Sequence, residues 1–228
     1  MPPKNSLKEY LEGGYYHIYN RGVEKRIIFQ DQQDYSVFLS YLKEYLLPKN
    51  EKALLDSLGK PDVPWSEKDK IIKALKLSNF SEEISLLVYT LMPNHFHFLI
   101  KQIEKDSIDR FLSSIGIRYS MYFNRKYKRV GSLFQGVYKA VLVSSDEQLI
   151  ELSRYIHKQA LDIKSNLQGE TLQIREVQPT SYGDYMGIRK TQWIKPEEIL
   201  NMFYKKNPRL SYQSFIRESR EIDLIGKL

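Results

Sequence analysis

The sequence predicts an α+β fold in which an antiparallel β-sheet carries helices on one face. Three observations predict it. Strand-like and helix-like segments follow one another in the order β-α-β-β-α-β-α, the two consecutive strands are joined by the tight-turn sequence Met92-Pro93-Asn94, and 42% of the residues are hydrophobic. This element order is typical of helices packed on an antiparallel sheet, and proline at the second position of a turn favours a hairpin.

The N-terminal part is expected to form a strand, a helix and an insertion. Residues 15–20 are predicted to form a first strand, which ends at Arg21-Gly22. A helix follows, with Asp34 as its expected cap and with apolar residues on one face: Tyr35, Phe38, Leu39, Leu42 and Leu46. Residues 48–83 balance seven lysines against seven acids, which indicates a charged insertion, with a short surface helix expected over 67–77.

The middle of the chain predicts the hairpin and a long helix. Residues 84–92 form a nearly continuous apolar run, which suits a central strand. After the turn, a second strand begins at His95. A helix is expected over 107–127, with an apolar stripe that comprises Ile108, Phe111, Leu112, Ile115, Tyr119, Tyr122 and Phe123. Residues 137–143 then read as another strand.

The C-terminal part is expected to be helical. Ser145 and Gln148 have the spacing of a capping box, so a helix is expected from Ser145 to about residue 161. Within the tail from about residue 169, helices are expected over 196–204 and 212–219. We therefore divide the chain into a domain over 13–165 and a helical extension over 166–228.

Composition restricts the classes of function. The net charge of +7 and the pI near 9.2 indicate a polyanionic partner. There is no run of 18 apolar residues and no signal-peptide pattern, so neither a membrane span nor secretion is expected. The absence of cysteine excludes disulfides, thiolate metal sites and a cysteine nucleophile. A cytoplasmic, nucleoid-associated protein is expected.

Positive charge and aromatic rings are concentrated between residues 118 and 140, a stretch without acidic residues. The cations are Arg118, Arg125, Lys126, Lys128, Arg129 and Lys139. The aromatic residues are Tyr119, Tyr122, Phe123, Tyr127, Phe134 and Tyr138. Cations that bind phosphates beside rings that stack on bases are typical of a groove for single-stranded nucleic acid. A solvated helix face that runs into a basic loop is the alternative.

Two of the four histidines, His95 and His97, stand two residues apart at the start of an apolar strand. Side chains on a strand alternate between faces, so both imidazoles are expected on one face, opposite Phe96 and Phe98. Two neutral imidazoles on one face can bind a divalent cation. The alternative is a half-buried strand with two solvated or hydrogen-bonded histidines.

The helix that begins at Ser145 carries Tyr155 and Gln159, four residues apart and therefore on the same flank. A phenol and an amide oxygen would approach a common target together. His157 lies about 200° around the helix from Tyr155 and is expected to face elsewhere. Alone, this pair is better explained as a boundary aromatic beside a surface amide.

Taken together, these motifs resemble those of a known superfamily. Pro-Asn-His95-Phe-His97 is similar to the His-hydrophobic-His signature of HUH single-strand DNA nucleases, and residues 154–159 resemble the tyrosine helix of single-tyrosine transposases. Residues 15–22 and 122–139 also resemble segments of that superfamily. The spacing and the long tail most resemble the REP-associated tyrosine transposases, and the resemblance covers roughly residues 13–204.

The resemblance implies a ferredoxin-like HUH domain that cuts and rejoins single-stranded DNA beside a hairpin through a 5′-phosphotyrosine intermediate. It implies Tyr155 as the nucleophile and His95, His97 and Gln159 as ligands of Mg²⁺ or Mn²⁺. The REP-associated branch usually has asparagine where Gln159 stands, and the insertion 48–83 also departs from the compact family pattern. Contacts to DNA are expected from Arg21, Arg118, Arg125, Lys126, Lys128, Arg129, Phe134 and Lys139.

Several alternatives stay open at this point. Asp162 is a second choice for the third ligand, and Tyr119, Tyr122, Tyr127 and Tyr138 are rival tyrosines that we read as packing, structural or base-stacking residues. A replication initiator or relaxase-like nuclease is a different enzymatic reading, and a domesticated hairpin-binding protein without catalysis is a non-enzymatic one. A homodimer and a monomer are both compatible with the resemblance.

Overall fold

A computed structural model describes residues 10–165, 171–203 and 205–218. Its strands are β1 (Tyr15–Arg21), β2 (Ile84–Met92), β3 (His95–Gln102), β4 (Lys139–Val143), β5 (Leu161–Ser165) and β6 (Thr171–Glu176). Its α-helices are α1 (Gln32–Leu46), α2 (Glu51–Leu58), α3 (Trp65–Lys76), α4 (Ser107–Lys126), α5 (Asp146–Lys158), α6 (Tyr182–Tyr185), α7 (Glu197–Leu200) and α8 (Pro208–Arg217).

Four strands form an antiparallel sheet in the order β2-β3-β1-β4. With α1 after β1 and α4 after β3, the first part of the chain has the β-α-β-β-α-β connectivity of a ferredoxin-like fold, with α2 and α3 inserted. The predicted α+β class with a ferredoxin-like sheet is confirmed. The predicted hairpin is also present, because β2 and β3 pair from Met92 opposite His95 onwards.

One face of the sheet is covered by α1 and α4. Phe96, Phe98 and Ile100, at alternate positions of β3, are buried in the same apolar core as Phe38 of α1 and Ile115 of α4. The ordinary two-residue period of a strand therefore turns His95 and His97 toward the opposite face.

The opposite face is covered as well, by α5 and the C-terminal elements. Leu99 of β3 shares a second apolar core with Ile156 of α5 and with Ile199 and Ile216 farther along the chain. The prediction had helices on one face only. The apolar side chains of α5 have to be buried. The histidine face of the sheet also carries apolar side chains, such as Leu99, and the helix packs against these.

Two local details differ from the predictions for the N-terminal part. The cap of α1 is Asp31, whose side chain accepts a hydrogen bond from the Asp34 amide at 3.0 Å, and not Asp34. The Asp34 side chain is buried and accepts bonds from Tyr122 and Tyr127. The insertion holds the expected surface helix as α3, and α2 precedes it without having been predicted.

The tail is less regular than expected. β5 and β6 form an antiparallel hairpin that was not predicted, and the domain boundary proposed at residue 165 lies inside it. The helix expected over 196–204 is the short α7, and the one expected over 212–219 is α8, which starts earlier. Residues 204 and 219 lie outside the described residues. No helix of the described segments has the length and apolarity to cross a membrane.

Candidate active site

The β2–β3 turn that precedes the histidines is tied to the loop after β1. The Pro93 carbonyl accepts hydrogen bonds from the amides of Ile28 and Phe29, at 2.8 and 3.0 Å. The Asn94 carbonyl accepts one from the Gly22 amide at 2.8 Å. Gly22 is required there, because a Cβ atom on it would lie 2.3 Å from the Arg26 carbonyl oxygen. The start of the histidine strand is therefore held in a fixed position.

The structure brings the four predicted catalytic and metal-binding residues together. The ring centroids of His95 and His97 lie 5.0 Å apart, and that of Tyr155 lies 6.0 Å from that of His97. The Gln159 Oε1 atom lies 3.3 Å from Nε2 of His95. Helix α5 therefore lies on the histidine face of the sheet, and its phenol and amide converge with the imidazoles as their four-residue spacing predicts.

Both imidazoles are neutral at physiological pH. Burial, and to a smaller extent the nearby rings of His17 and His95, lower the pKa of His97 to about 2. Burial also lowers the pKa of His95, against the raising effect of the Gln159 hydrogen bond. Metal ligands must carry a free lone pair, so neutral imidazoles are the form that an ion needs.

The contacts of His95 suit a cation. Nδ1 of His95 lies 2.7 Å from the Asn94 Oδ1 atom, an acceptor, and the neutral ring satisfies this contact when Nδ1 carries its proton. Its Nε2 atom then has a lone pair that faces the Gln159 oxygen. His95 could donate a hydrogen bond to both oxygens only if both of its ring nitrogens were protonated. The lowered pKa of His95 disfavours this imidazolium form. Two acceptors that face each other form a site for a positive ion.

The distance between these acceptors also suits an ion. Neighbouring ligands at about 2.1 Å from an octahedral Mg²⁺ lie roughly 3 Å apart, close to the 3.3 Å between Nε2 of His95 and Oε1 of Gln159. The Nε2 atom of Gln159 is buried without a hydrogen-bond partner among the described residues. An unpaired buried donor of this kind costs about 1–3 kcal/mol of stability.

Tyr155 is half-buried beside this donor set. Its ring also meets His17 edge-on, with 6.2 Å between the centroids. Burial raises the pKa of its phenol, so the hydroxyl is protonated at neutral pH. A protonated phenol is a weak nucleophile, and attack on a phosphate requires both loss of its proton and an electrophilic phosphorus atom.

Sequence reasoning missed two residues of this face, His17 and Tyr19. The Nε2 atom of His17 lies 2.8 Å from Nδ1 of His97, and the Tyr19 ring stacks on His97 with 5.7 Å between centroids. Strand alternation puts both on one face of β1. That face meets the histidine pair only because β1 pairs with β3, a strand order that local patterns do not contain.

The weaker candidates lie elsewhere. His157 faces away from Tyr155, as expected, and is completely buried against Ser181 and Tyr212. Asp162 pairs in register with Arg175 in the β5–β6 hairpin. The rival tyrosines all belong to the core on the other side of the sheet: Tyr119, Tyr122, Tyr127 and Tyr138. Packing explains them without a catalytic role.

Two of the cations expected to contact DNA are engaged within the protein. The Lys126 Nζ atom lies 2.7 Å from carboxylate oxygens of both Asp31 and Asp34. Arg118 pairs with Glu44 at 2.7 Å and stacks on the Tyr41 ring. Their charges are balanced by residues of α1, which makes them weaker candidates for phosphate contacts.

Other members of the expected DNA surface are more accessible. Arg125, Lys128 and Lys139 are exposed. The Nε of Arg21 donates to the Gln135 side chain at 2.5 Å, and Arg129 donates to the Asn124 side chain at 2.8 Å. The half-buried Phe134 packs edge-on against Phe96. A DNA contact by any of these residues stays a prediction.

This surface yields a test by salt dependence. We expect Arg125→Ala and Lys128→Asn each to weaken binding of a single-stranded hairpin oligonucleotide and to reduce the slope of log K against log salt by about 0.7–0.9 per lost phosphate contact. Asparagine is chosen because Lys128 has a φ of 50°, which asparagine tolerates. Lys70→Ala, on the exposed face of α3, is the matched control. If the slope of log K against log salt is unchanged in both variants, this surface does not contact the DNA.

Comparison with known proteins identifies the same region. Residues 66–159 match the family described as transposase IS200 like. This span contains His95, His97, Tyr155 and Gln159, so the converging residues all lie within the matched segment. The resemblance to single-tyrosine HUH transposases is confirmed, and the match supports a transposase role. No curated protein matches the chain.

Two solved structures are similar in part. One is a REP-associated tyrosine transposase bound to a REP hairpin, with 10% identity and a TM-score of 0.39, over 69% of this chain and 72% of that one. The other is a protein from Deinococcus radiodurans described as a transposase, with 15% identity and a TM-score of 0.28, over 68% of this chain and 97% of that one. Overlap at this level carries no argument about activity.

Proposed function

We propose that this protein cleaves and rejoins single-stranded DNA next to a hairpin, as a metal-dependent transposase with a covalent 5′-phosphotyrosine intermediate. The observation that carries the proposal is the convergence of one phenol with a set of neutral metal donors. Tyr155 stands beside His97, while the lone pair of His95 faces the Gln159 oxygen at 3.3 Å.

The donors in this proposal are His95, His97 and Gln159, which offer two nitrogens and one oxygen. Such a mixed set suits Mg²⁺ or Mn²⁺, with the nitrogens favouring Mn²⁺. When bound, the cation makes the scissile phosphate more electrophilic and neutralises the charge that develops on it. Among the residues that the structure describes, no three His, Cys, Asp or Glu side chains are grouped to hold an ion. In this proposed donor set, the amide of Gln159 supplies the third ligand.

Tyr155 supplies the nucleophile. Its phenol oxygen attacks phosphorus in line with the 3′ oxygen of the leaving strand; one P–O bond forms as another breaks. The phenol loses its proton, and the departing 3′ oxygen takes one up. The DNA 5′ end stays on Tyr155 as a phosphodiester, so another 3′-hydroxyl can reverse the step and join strands without ATP.

Single-stranded DNA with a hairpin is the proposed substrate. The exposed cations Arg125, Lys128 and Lys139 would bind its phosphates. A hairpin-binding protein without catalysis would use the same surface, but it would not need a phenol, two imidazoles and an amide to converge.

The test is adduct formation. Hairpin oligonucleotides labelled at either end are incubated with the protein and Mn²⁺, and we expect a covalent complex that carries only the fragment 3′ to the cut, with its peptide mapped to Tyr155. Tyr155→Phe should form none, whereas Tyr41→Phe, a half-buried tyrosine on the other face of the sheet, should react normally. An adduct that persists in Tyr155→Phe on Tyr19 would reassign the nucleophile. Tight binding without any adduct would favour the non-catalytic alternative.

A further inference from the structure

The side chain of Asn94 has a fixed orientation. Its Nδ2 atom donates to the Lys25 carbonyl at 3.2 Å, which leaves its Oδ1 atom toward Nδ1 of His95 at 2.7 Å. The amide therefore offers His95 an acceptor and not a donor. His95 satisfies it only by carrying its proton on Nδ1, which leaves Nε2 unprotonated.

The loop that presents the Lys25 carbonyl is strained. Glu24 and Lys25 have φ angles of 56° and 60°, in the left-handed region that residues other than glycine rarely adopt. Such residues persist only where the surrounding structure enforces their conformation. One enforcing contact here is the hydrogen bond from the Gly22 amide to the carbonyl of Asn94, a residue of the β2–β3 turn.

His17 contacts Nδ1 of His97, as Asn94 contacts Nδ1 of His95. Its Nε2 atom lies 2.8 Å from Nδ1 of His97, both rings are buried, and they stack with 5.1 Å between centroids. With Nδ1 engaged, Nε2 is the ring nitrogen that His97 has left for a ligand. In both rings of the His95–His97 pair, Nδ1 is the nitrogen that lies within hydrogen-bond distance of a neighbouring side chain behind it, and Nε2 is the one left for a ligand.

We propose that Asn94 and His17 are positioning residues that hold His95 and His97, respectively, in the Nδ1–H tautomer, with Nε2 presented toward Gln159 and Tyr155. The proposal rests on the metal site of the proposed function. Partners of this kind fix the orientation and the protonated nitrogen of ligating histidines, and their loss typically weakens metal binding 10–100-fold. In this arrangement His17 accepts the proton of His97 Nδ1 in a hydrogen bond and is not a third ligand.

The experiment reads the tautomers directly, in the metal-free protein, from long-range ¹H–¹⁵N correlations of the imidazoles. We expect the Nδ1–H form for both His95 and His97 in the wild type. In Asn94→Ala, the remaining acceptor near His95 is the Gln159 oxygen, so its proton should move to Nε2. In His17→Phe, which keeps an aromatic ring, His97 should lose its single tautomer.

Mn²⁺ affinity, measured by titration calorimetry, is the second readout. It should fall 10–100-fold in Asn94→Ala and in His17→Phe. The conservative variants His17→Gln and Asn94→Asp keep an acceptor, although aspartate gives up the bond to Lys25, so their losses should be clearly smaller than those of His17→Phe and Asn94→Ala. The matched control is Asn79→Ala, which removes an amide that donates to the Leu47 carbonyl far from this face.

A wild type with Nε2–H at either ring overturns the inference, and so does a loss of Mn²⁺ affinity without a tautomer change. The wild-type spectrum decides the matter even where a variant fails to fold. The inference and the proposed function also fail separately. Nδ1–H tautomers and Mn²⁺ binding without a DNA adduct would defeat strand cleavage alone, whereas an adduct formed by a protein with the Nε2–H tautomer would defeat positioning alone.

Discussion

Replacement of His97 by alanine is expected to reduce strand cleavage by a factor on the order of 10²–10³ or more, while hairpin binding stays nearly unchanged. His97 is one of the two proposed imidazole ligands and is buried, so its loss should remove the means of stabilising developing charge and leave the exposed cations that are proposed to hold DNA. The measurement is single-turnover cleavage of a labelled hairpin at saturating Mn²⁺, with binding followed separately.

Gln159 provides the graded comparison for this prediction. Gln159→Glu keeps an oxygen ligand and should retain part of the cleavage rate, whereas Gln159→Ala should behave like His97→Ala. Chelation of the cation should reduce the wild type to the same background. Normal cleavage by His97→Ala, with an unchanged melting temperature, would rule out the metal assignment.

Patterns confined to one element predicted most of the site. Alternation along β3 puts His95 and His97 on one face, and the helical period puts Tyr155 and Gln159 on one flank of α5. Both are consequences of backbone geometry within a single segment. Their convergence required the superfamily resemblance as well, because periodicity alone does not say which face of the sheet α5 covers.

What was missed depends on contacts between distant segments. His17 joins the site only through the pairing of β1 with β3, in which Tyr19 lies opposite His97. Lys126 was expected to bind DNA because no acid is near it in sequence, yet Asp31 and Asp34 reach it from α1. Charge patterns along the chain do not contain such partners.

The fold, too, has parts that local sequence patterns predict and parts that they do not. The βαββαβ core follows from its periodicities, and β2–β3 from its turn. The β5–β6 hairpin was missed although residues 161–164 and 172–175 alternate apolar and polar side chains, because the helical pattern of α5 was extended over its start. Asp34 was expected to cap α1, but Asp31 is the cap, and the Asp34 side chain belongs instead to a buried hydrogen-bond network with Tyr122.

The second large effect is expected at His157, which connects α5 to the C-terminal elements. Its ring is fully buried, with Nδ1 2.7 Å from the Tyr212 hydroxyl and Nε2 2.8 Å from the Ser181 hydroxyl. His157→Ala should lower the free energy of unfolding by about 3–5 kcal/mol, because it leaves a cavity and removes a partner from two buried hydroxyls. Chemical denaturation measures this. His157→Gln, which keeps a donor and an acceptor, should cost clearly less, and equal losses would contradict the hydrogen-bonding account.

The same ring gives this prediction a pH dependence. Burial lowers the pKa of His157 from 6.5 to about 3, so between these values the unfolded chain binds a proton that the native protein does not. The stabilisation is complete above pH 6.5 and is lost as the pH falls toward 3, by up to about 1.4 kcal/mol per pH unit. His157→Gln should lack this part of the acid sensitivity at any pH where the wild type is still folded.

Since α5 carries both Tyr155 and Gln159, a weakened attachment of this helix should lower adduct formation in His157→Ala as well. A variant that unfolds more easily yet cleaves at the full rate would mean that α5 holds its position without the C-terminal elements.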